Sequence, residues 1–137
     1  MAVHHIRNDI ECRTLNIIGG SREFFFFSLF AVNIDGLPQG PLDLSNASEI
    51  EWLFAPFSVI KEKSHAIFHK LLTTDEIRIL RDGSDGEPNL IQVIVEPLNT
   101  RHLSGAFLHQ VSITDGQGYT FIPFEGLINI NRRIQTR

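Results

Sequence analysis

Cysteine occurs once, at Cys12, so the chain can neither close an internal disulfide nor build a cysteine-based zinc site. A lone thiol also suits a reducing compartment. Tyrosine and tryptophan appear once each, against eleven phenylalanines, a balance that belongs to a core more than to a recognition surface. Long apolar runs are missing. The stretch from Phe24 to Val32 is interrupted by Ser28, and at about nine residues it falls far short of the ~20 that a spanning helix needs. A basic excess is missing too: 12 Lys+Arg stand against 16 Asp+Glu, for a net charge of −4, which argues against nucleic acid as a partner. The first residues, Met-Ala-Val-His-His-Ile-Arg, lack the basic start and apolar stretch of a secretory signal, so the expected location is cytoplasmic.

Motifs of known chemistry are equally scarce. There is no Gly-x-Ser-x-Gly elbow and no phosphate-binding Gly-x-x-x-x-Gly-Lys loop, and Gly19-Gly20 is too short a glycine run for a dinucleotide site. No cofactor is expected. Cys12 has no neighbour in sequence that would make it reactive and reads as a small core residue.

What is present is apolar material for one core: 42% of the 137 residues are hydrophobic and 20% charged, with neither repeat nor linker. Residues 1–137 read as a single globular domain. Short strands are expected around Ile6–Cys12 and Leu15–Ile18. Glu23–Ile34, apolar in both alternation phases, predicts a central strand covered on both faces. Leu37–Asp43, with Pro38 and Pro41, reads as a loop.

Asn46-Ala-Ser-Glu49 has the form of a helix start, and Ile50, Leu53, Phe54 and Phe57 fall on one helical stripe ended by Pro56. A second helix is favoured over residues 58–72, where neither phase alternates cleanly. Ile77–Leu80 and Leu90–Val95 read as one hairpin, Phe107–Thr114 and Tyr119–Phe124 as another, and Gly126–Ile130 as a final short strand. Strands, then helices, then hairpins give an α+β domain: a mainly antiparallel sheet with one or two helices packed on one face. The alternative is a β-sandwich or open barrel with a helical insertion.

Histidine supplies the first candidate site. His65 and His69 are four apart, and on a helix both would project from one face; with His102 and His109 they are candidate acid–base groups or metal ligands. Zinc would need further ligands, and Ala66 stands where a zincin requires glutamate. Protonating all six histidines would reverse the sign of the net charge. The second candidate is acidic. Asp82, Asp85 and Glu87 sit in a glycine-bearing turn whose spacing fails the EF-hand pattern. With Asp75, Glu76 and Glu96 they form a segment able to steer a basic partner. Trp52 lies off the helical stripe and is a candidate contact anchor.

Function is therefore expected to lie in binding. The leading reading is a small non-catalytic protein-binding module, an acidic inhibitor or immunity-type protein that neutralises a basic partner. The alternatives are a small hydrolase or lyase with a histidine-containing pocket, and a self-assembling structural protein whose phenylalanine-rich segment feeds a homo-oligomer interface. No membrane partner is expected.

Overall fold

The computed structural model describes residues 2–8, 14–35, 37–56, 67–81 and 86–132. Its elements are β1 (Ala2–Arg7), β2 (Leu15–Ile18), β3 (Glu23–Ser28), β4 (Phe30–Val32), β5 (Pro38–Pro41), β6 (Glu49–Pro56), β7 (Phe68–Leu71), β8 (Ile77–Leu80), β9 (Leu90–Val95), α1 (Pro97–Thr100), β10 (Gly105–Thr114) and β11 (Thr120–Asn131). They form a four-stranded sheet in the order β1-β3-β9-β8, a five-stranded sheet in the order β2-β11-β10-β6-β7, and a small β4-β5 ribbon. Both large sheets are mixed: β1 runs parallel to β3, and β2 parallel to β11.

The two sheets face each other across one core. Phe25 and Phe27 from β3 meet Trp52, His109 and Phe124 from the other sheet, with ring centroids 5.1 to 6.3 Å apart. Ile91 and Val93 from β9, Ile50 and Phe54 from β6, Val111 from β10 and Ile128 from β11 complete it. This is a β-sandwich with a single turn of helix, and the α+β expectation is corrected accordingly. The sandwich alternative fails in its helical insertion, because α1 spans only Pro97–Thr100.

The largest correction concerns residues 46–57. Glu49–Pro56 is a strand, paired with β10 on one side and β7 on the other. Ile50, Trp52 and Phe54 alternate inward, each 0% exposed. A helical stripe at Ile50, Leu53 and Phe54 and a strand phase at Ile50, Trp52 and Phe54 share two of three members, so the cap-like Asn46–Glu49 tipped the reading. Two ladders of hydrogen bonds then outweigh a weak local preference. The expected helix over 58–72 is likewise replaced at its end by β7, while residues 57–66 lie outside the described residues.

Other differences are smaller. Leu37–Asp43 contains β5, antiparallel to β4, where a loop was expected; prolines are compatible with such a two-stranded ribbon because each strand has a free edge. Glu23–Ile34 breaks at the buried Leu29 into β3 and β4. β3 is central in its sheet, yet Phe24 and Phe26 face outward and are only half-buried. Both expected hairpins are formed, β8–β9 and β10–β11. Gly126–Ile130 continues β11 and is not a separate strand.

The chain crosses between sheets through α1. Asn99 Oδ1 accepts from the Glu96 N–H at 2.8 Å, and buried Thr100 Oγ1 accepts from the Gly20 N–H at 3.0 Å. Gly19 lies so near this crossover that a Cβ there would sit 3.1 Å from the Thr100 and Leu103 carbonyls. The β2–β3 turn is thus held against the bridge between the sheets.

Candidate functional site

The outer face of the five-stranded sheet carries an open groove of about 470 Å³. Its floor comes from outward positions of three adjacent strands: Glu49, Glu51 and Leu53 on β6, His69 and Leu71 on β7, and Gln110, Ser112 and Thr114 on β10. Thr120 and Ile122 of β11 close the far side. Register places Ser112 beside Glu51 and Glu51 beside Leu71, so a row of polar and apolar groups crosses the sheet.

Why Ile122 faces this groove follows from a bulge. Ile113 pairs with Phe121 and Val111 with Phe124, leaving Ile122 and Pro123 opposite Ser112 alone. Pro123 has no N–H to give to a regular ladder, which suits it to that position. At the hairpin end Tyr119, Phe121 and Ile122 are 70%, 41% and 54% exposed. The hairpin turn itself is held by Asp115, whose Oδ1 accepts from the Gln117 and Tyr119 N–H groups at 2.9 and 3.0 Å. Thr114 and Thr120 join hydroxyls across the strands at 2.9 Å.

The groove is acidic in a structured way. Glu49 Oε1 accepts from the N–H groups of Leu72 and Thr73 at 3.0 and 3.2 Å, and its Oε2 from the Thr73 hydroxyl at 2.6 Å. Burial alone would raise the Glu49 pKa, but these hydrogen bonds to the anion outweigh it and lower the value below the usual carboxylate range. Glu51, 8% exposed, meets His69 Nδ1 at 3.2 Å. On the five strands of this sheet the charged residues are Glu49, Glu51, Lys70 and Glu125. Lys70 is buried and donates to Asn99 Oδ1 at 3.2 Å, leaving carboxylates as the outward charges.

The expected site residues do not gather in one place. Trp52, proposed as a surface anchor, is fully buried at the centre of the core, because strand alternation aligns it with Ile50 and Phe54. His109 lies beside it in the core, His69 is on the outer face of the same sheet, and His102 is exposed after α1, accepting from Arg101 Nε at 3.1 Å. These three share no cleft, so no histidine pocket forms from them. Glu87 is exposed on the approach to β9. His65, Asp82 and Asp85 lie outside the described residues. Among the described residues no group of three or more His, Cys, Asp or Glu is placed to hold a metal ion, and no helix is long and apolar enough to cross a membrane.

His109 is chemically distinctive. Trp52 Nε1–H donates to its Nδ1 at 3.2 Å, which puts the proton of the neutral ring on Nε2. That Nε2 has no hydrogen-bond partner among the described residues and is enclosed by Phe25, Phe27 and Phe124. Burial, with a smaller effect from nearby His4, pushes its pKa from 6.5 down to about 3. It is a neutral core residue at any physiological pH.

The groove was not read from the sequence, although the β10–β11 hairpin beside it was. Glu49 and Glu51 become visible as groove residues only once 49–56 is read with period two, and Ile122 only once the bulge at Ile122–Pro123 is placed. The proline inside an otherwise strand-like run was the available signal.

No protein-family model matches the chain, and no curated protein matches it. Among solved structures it is similar to the cysteine protease inhibitor EhICP2 from Entamoeba histolytica, with 13% identity, 96% of each chain covered and a TM-score of 0.42. At that identity and score the likeness assigns neither fold nor partner. The sandwich is read from its own strand pairing.

Proposed function

We propose that the chain is a non-catalytic protein-binding module whose partner is a basic protein. The contact surface is the outer face of the five-stranded sheet together with the β10–β11 hairpin end. One observation carries this reading: exposed Ile122 lines a groove whose outward charges on the strands are carboxylates, and exposed Tyr119 lies at the hairpin end beside it. Large apolar side chains held at a rigid hairpin supply contact area at little entropic cost. Carboxylates around them select a cationic partner and speed its approach. In the finer form of this reading the partner is an enzyme and the chain its inhibitor.

The test places a photo-cross-linker at position 122 and, as a control, at Leu98, which is 68% exposed on α1. The expected result is one basic protein captured from position 122 and not from 98, with capture reduced by Glu125→Lys and by raised salt. Equal capture at both positions, or indifference to Glu125→Lys, overturns the reading. Titrating a cysteine protease and a basic ribonuclease with the purified chain, with turnover as the readout, tests the inhibitory form.

A further inference from the structure

The sandwich presents two outward sheet faces, and the charged residues that their strands turn outward are opposite in sign. On the four-stranded sheet, the alternation that buries Phe25 and Phe27 turns Val3, Phe24, Phe26 and Ile94 outward. Register aligns Val3, Phe24 and Ile94 in one row, and His5, Phe26, Gln92 and Arg78 in the next. The His5 ring stacks on Phe26 with centroids 5.2 Å apart, and the Arg22 guanidinium lies 5.2 Å from the Phe24 ring. Arg7 and Arg78 are the charged residues that these strands expose. Arg22, at the rim, meets Glu96 at 3.5 Å. The five-stranded sheet, on the other side of the molecule, turns partly exposed Glu49, buried Glu51 and exposed Glu125 outward, with Leu53, Leu71 and Ile122 on the same face.

We propose that the arginine-bearing aromatic face of one copy docks on the acidic groove face of a second copy. Like faces repel, arginine against arginine or glutamate against glutamate, whereas unlike faces attract and fix the register. The apolar rows on each side supply the area removed from water. Val3 and Ile122, both more than half exposed in the single chain, would be covered by the same contact. Because the faces lie on opposite sides of one molecule, the contact is head to tail. Each added copy leaves one face of each kind open, so the assembly grows until a ring closes.

Sedimentation velocity on the full chain tests this. The mean mass should rise with concentration up to ~100 μM in low salt, and fall back to the monomer near ~0.5 M salt, where exposed charges are screened. Arg78→Glu, an exposed residue on an edge strand, should abolish the rise; Val3→Glu, on the same face, should do so independently. A photo-cross-linker at position 122 should join to a peptide containing residues 22–28 or 90–96. Three results would overturn the inference: a monomer at every concentration in low salt, self-association unaltered by both variants, or cross-links joining position 122 to itself. Arg78→Glu leaves the acidic groove intact, so it should still capture a foreign basic protein. In Arg78→Glu, loss of that capture counts against the proposed function, whereas loss of self-association with capture retained supports the inference.

Discussion

His109 shows what a single buried side chain contributes. Its folded-state pKa of about 3 lies below the ordinary 6.5, so between those values the unfolded chain binds more protons than the folded one. Stability contributed by the neutral ring is complete above the unfolded pKa and declines as pH falls toward the folded one. Between pH 6 and pH 5 the expected loss is about 1 kcal/mol, measurable by urea unfolding. His109→Asn keeps an acceptor near Trp52 but removes most of the ring. It should lower stability at pH 7 by roughly 2 kcal/mol through the cavity it leaves, and flatten the acid-side slope. If the slope stays as steep in that variant, other groups carry it. Trp52→Ala should be more severe, at roughly 3–5 kcal/mol, because the indole packs against Phe25, Phe54 and Phe68 and donates to His109. The sequence did not reveal this pair. Trp52 and His109 are 57 positions apart, and only the antiparallel register of β6 and β10 makes them neighbours.

At the scale of elements, legibility followed the strength of local signals. Leu90–Val95 is rich in β-branched residues and Phe107–Thr114 is strand-like, each beside a connection rich in Gly and Asp, and both read as hairpin strands from the sequence. Glu49–Pro56 reads as a helix because Asn46–Glu49 has the form of a cap and Leu53, an apolar residue on the outward face, breaks the alternation that Glu49, Ile50, Glu51 and Trp52 begin. The hairpin turn gives a direct test of turn chemistry. Gly118 sits at φ +90, where a Cβ meets nothing in space but the backbone itself is strained. Gly118→Ala should therefore cost about 1 kcal/mol, read as a lower Tm, with the groove otherwise intact. Asp75 at φ +63 is the opposite case: Asp75→Gly should stabilise the turn after β7 by a few tenths of a kcal/mol. A destabilised Asp75→Gly variant would show that the carboxylate, and not the backbone, sets that turn.

For the molecule as a whole, composition indicated one domain and an apolar core but not how the layers are connected. Nothing local announces that β1 runs parallel to β3, or that β2 runs parallel to β11; these pairings are decided by which edges remain open after the hairpins form. Leu15 pairs with Ile128 and Ile18 with Asn131, so the five-stranded sheet joins residues more than a hundred positions apart. Sandwiches built on such distant pairings fold slowly. Refolding should take milliseconds to seconds and not microseconds, with Trp52 fluorescence in stopped-flow as the readout. A microsecond phase that recovers the full signal would contradict that expectation.

The same β2–β11 pairing bears on synthesis. A nascent chain on the ribosome cannot complete the edge strand of its second sheet until residue 131 has cleared the exit tunnel. Until then Phe25, Phe27 and their row lack part of the wall they pack against. Anything that shields those rings during translation, a chaperone above all, would therefore matter more for this chain than for one whose strands pair in order of emergence.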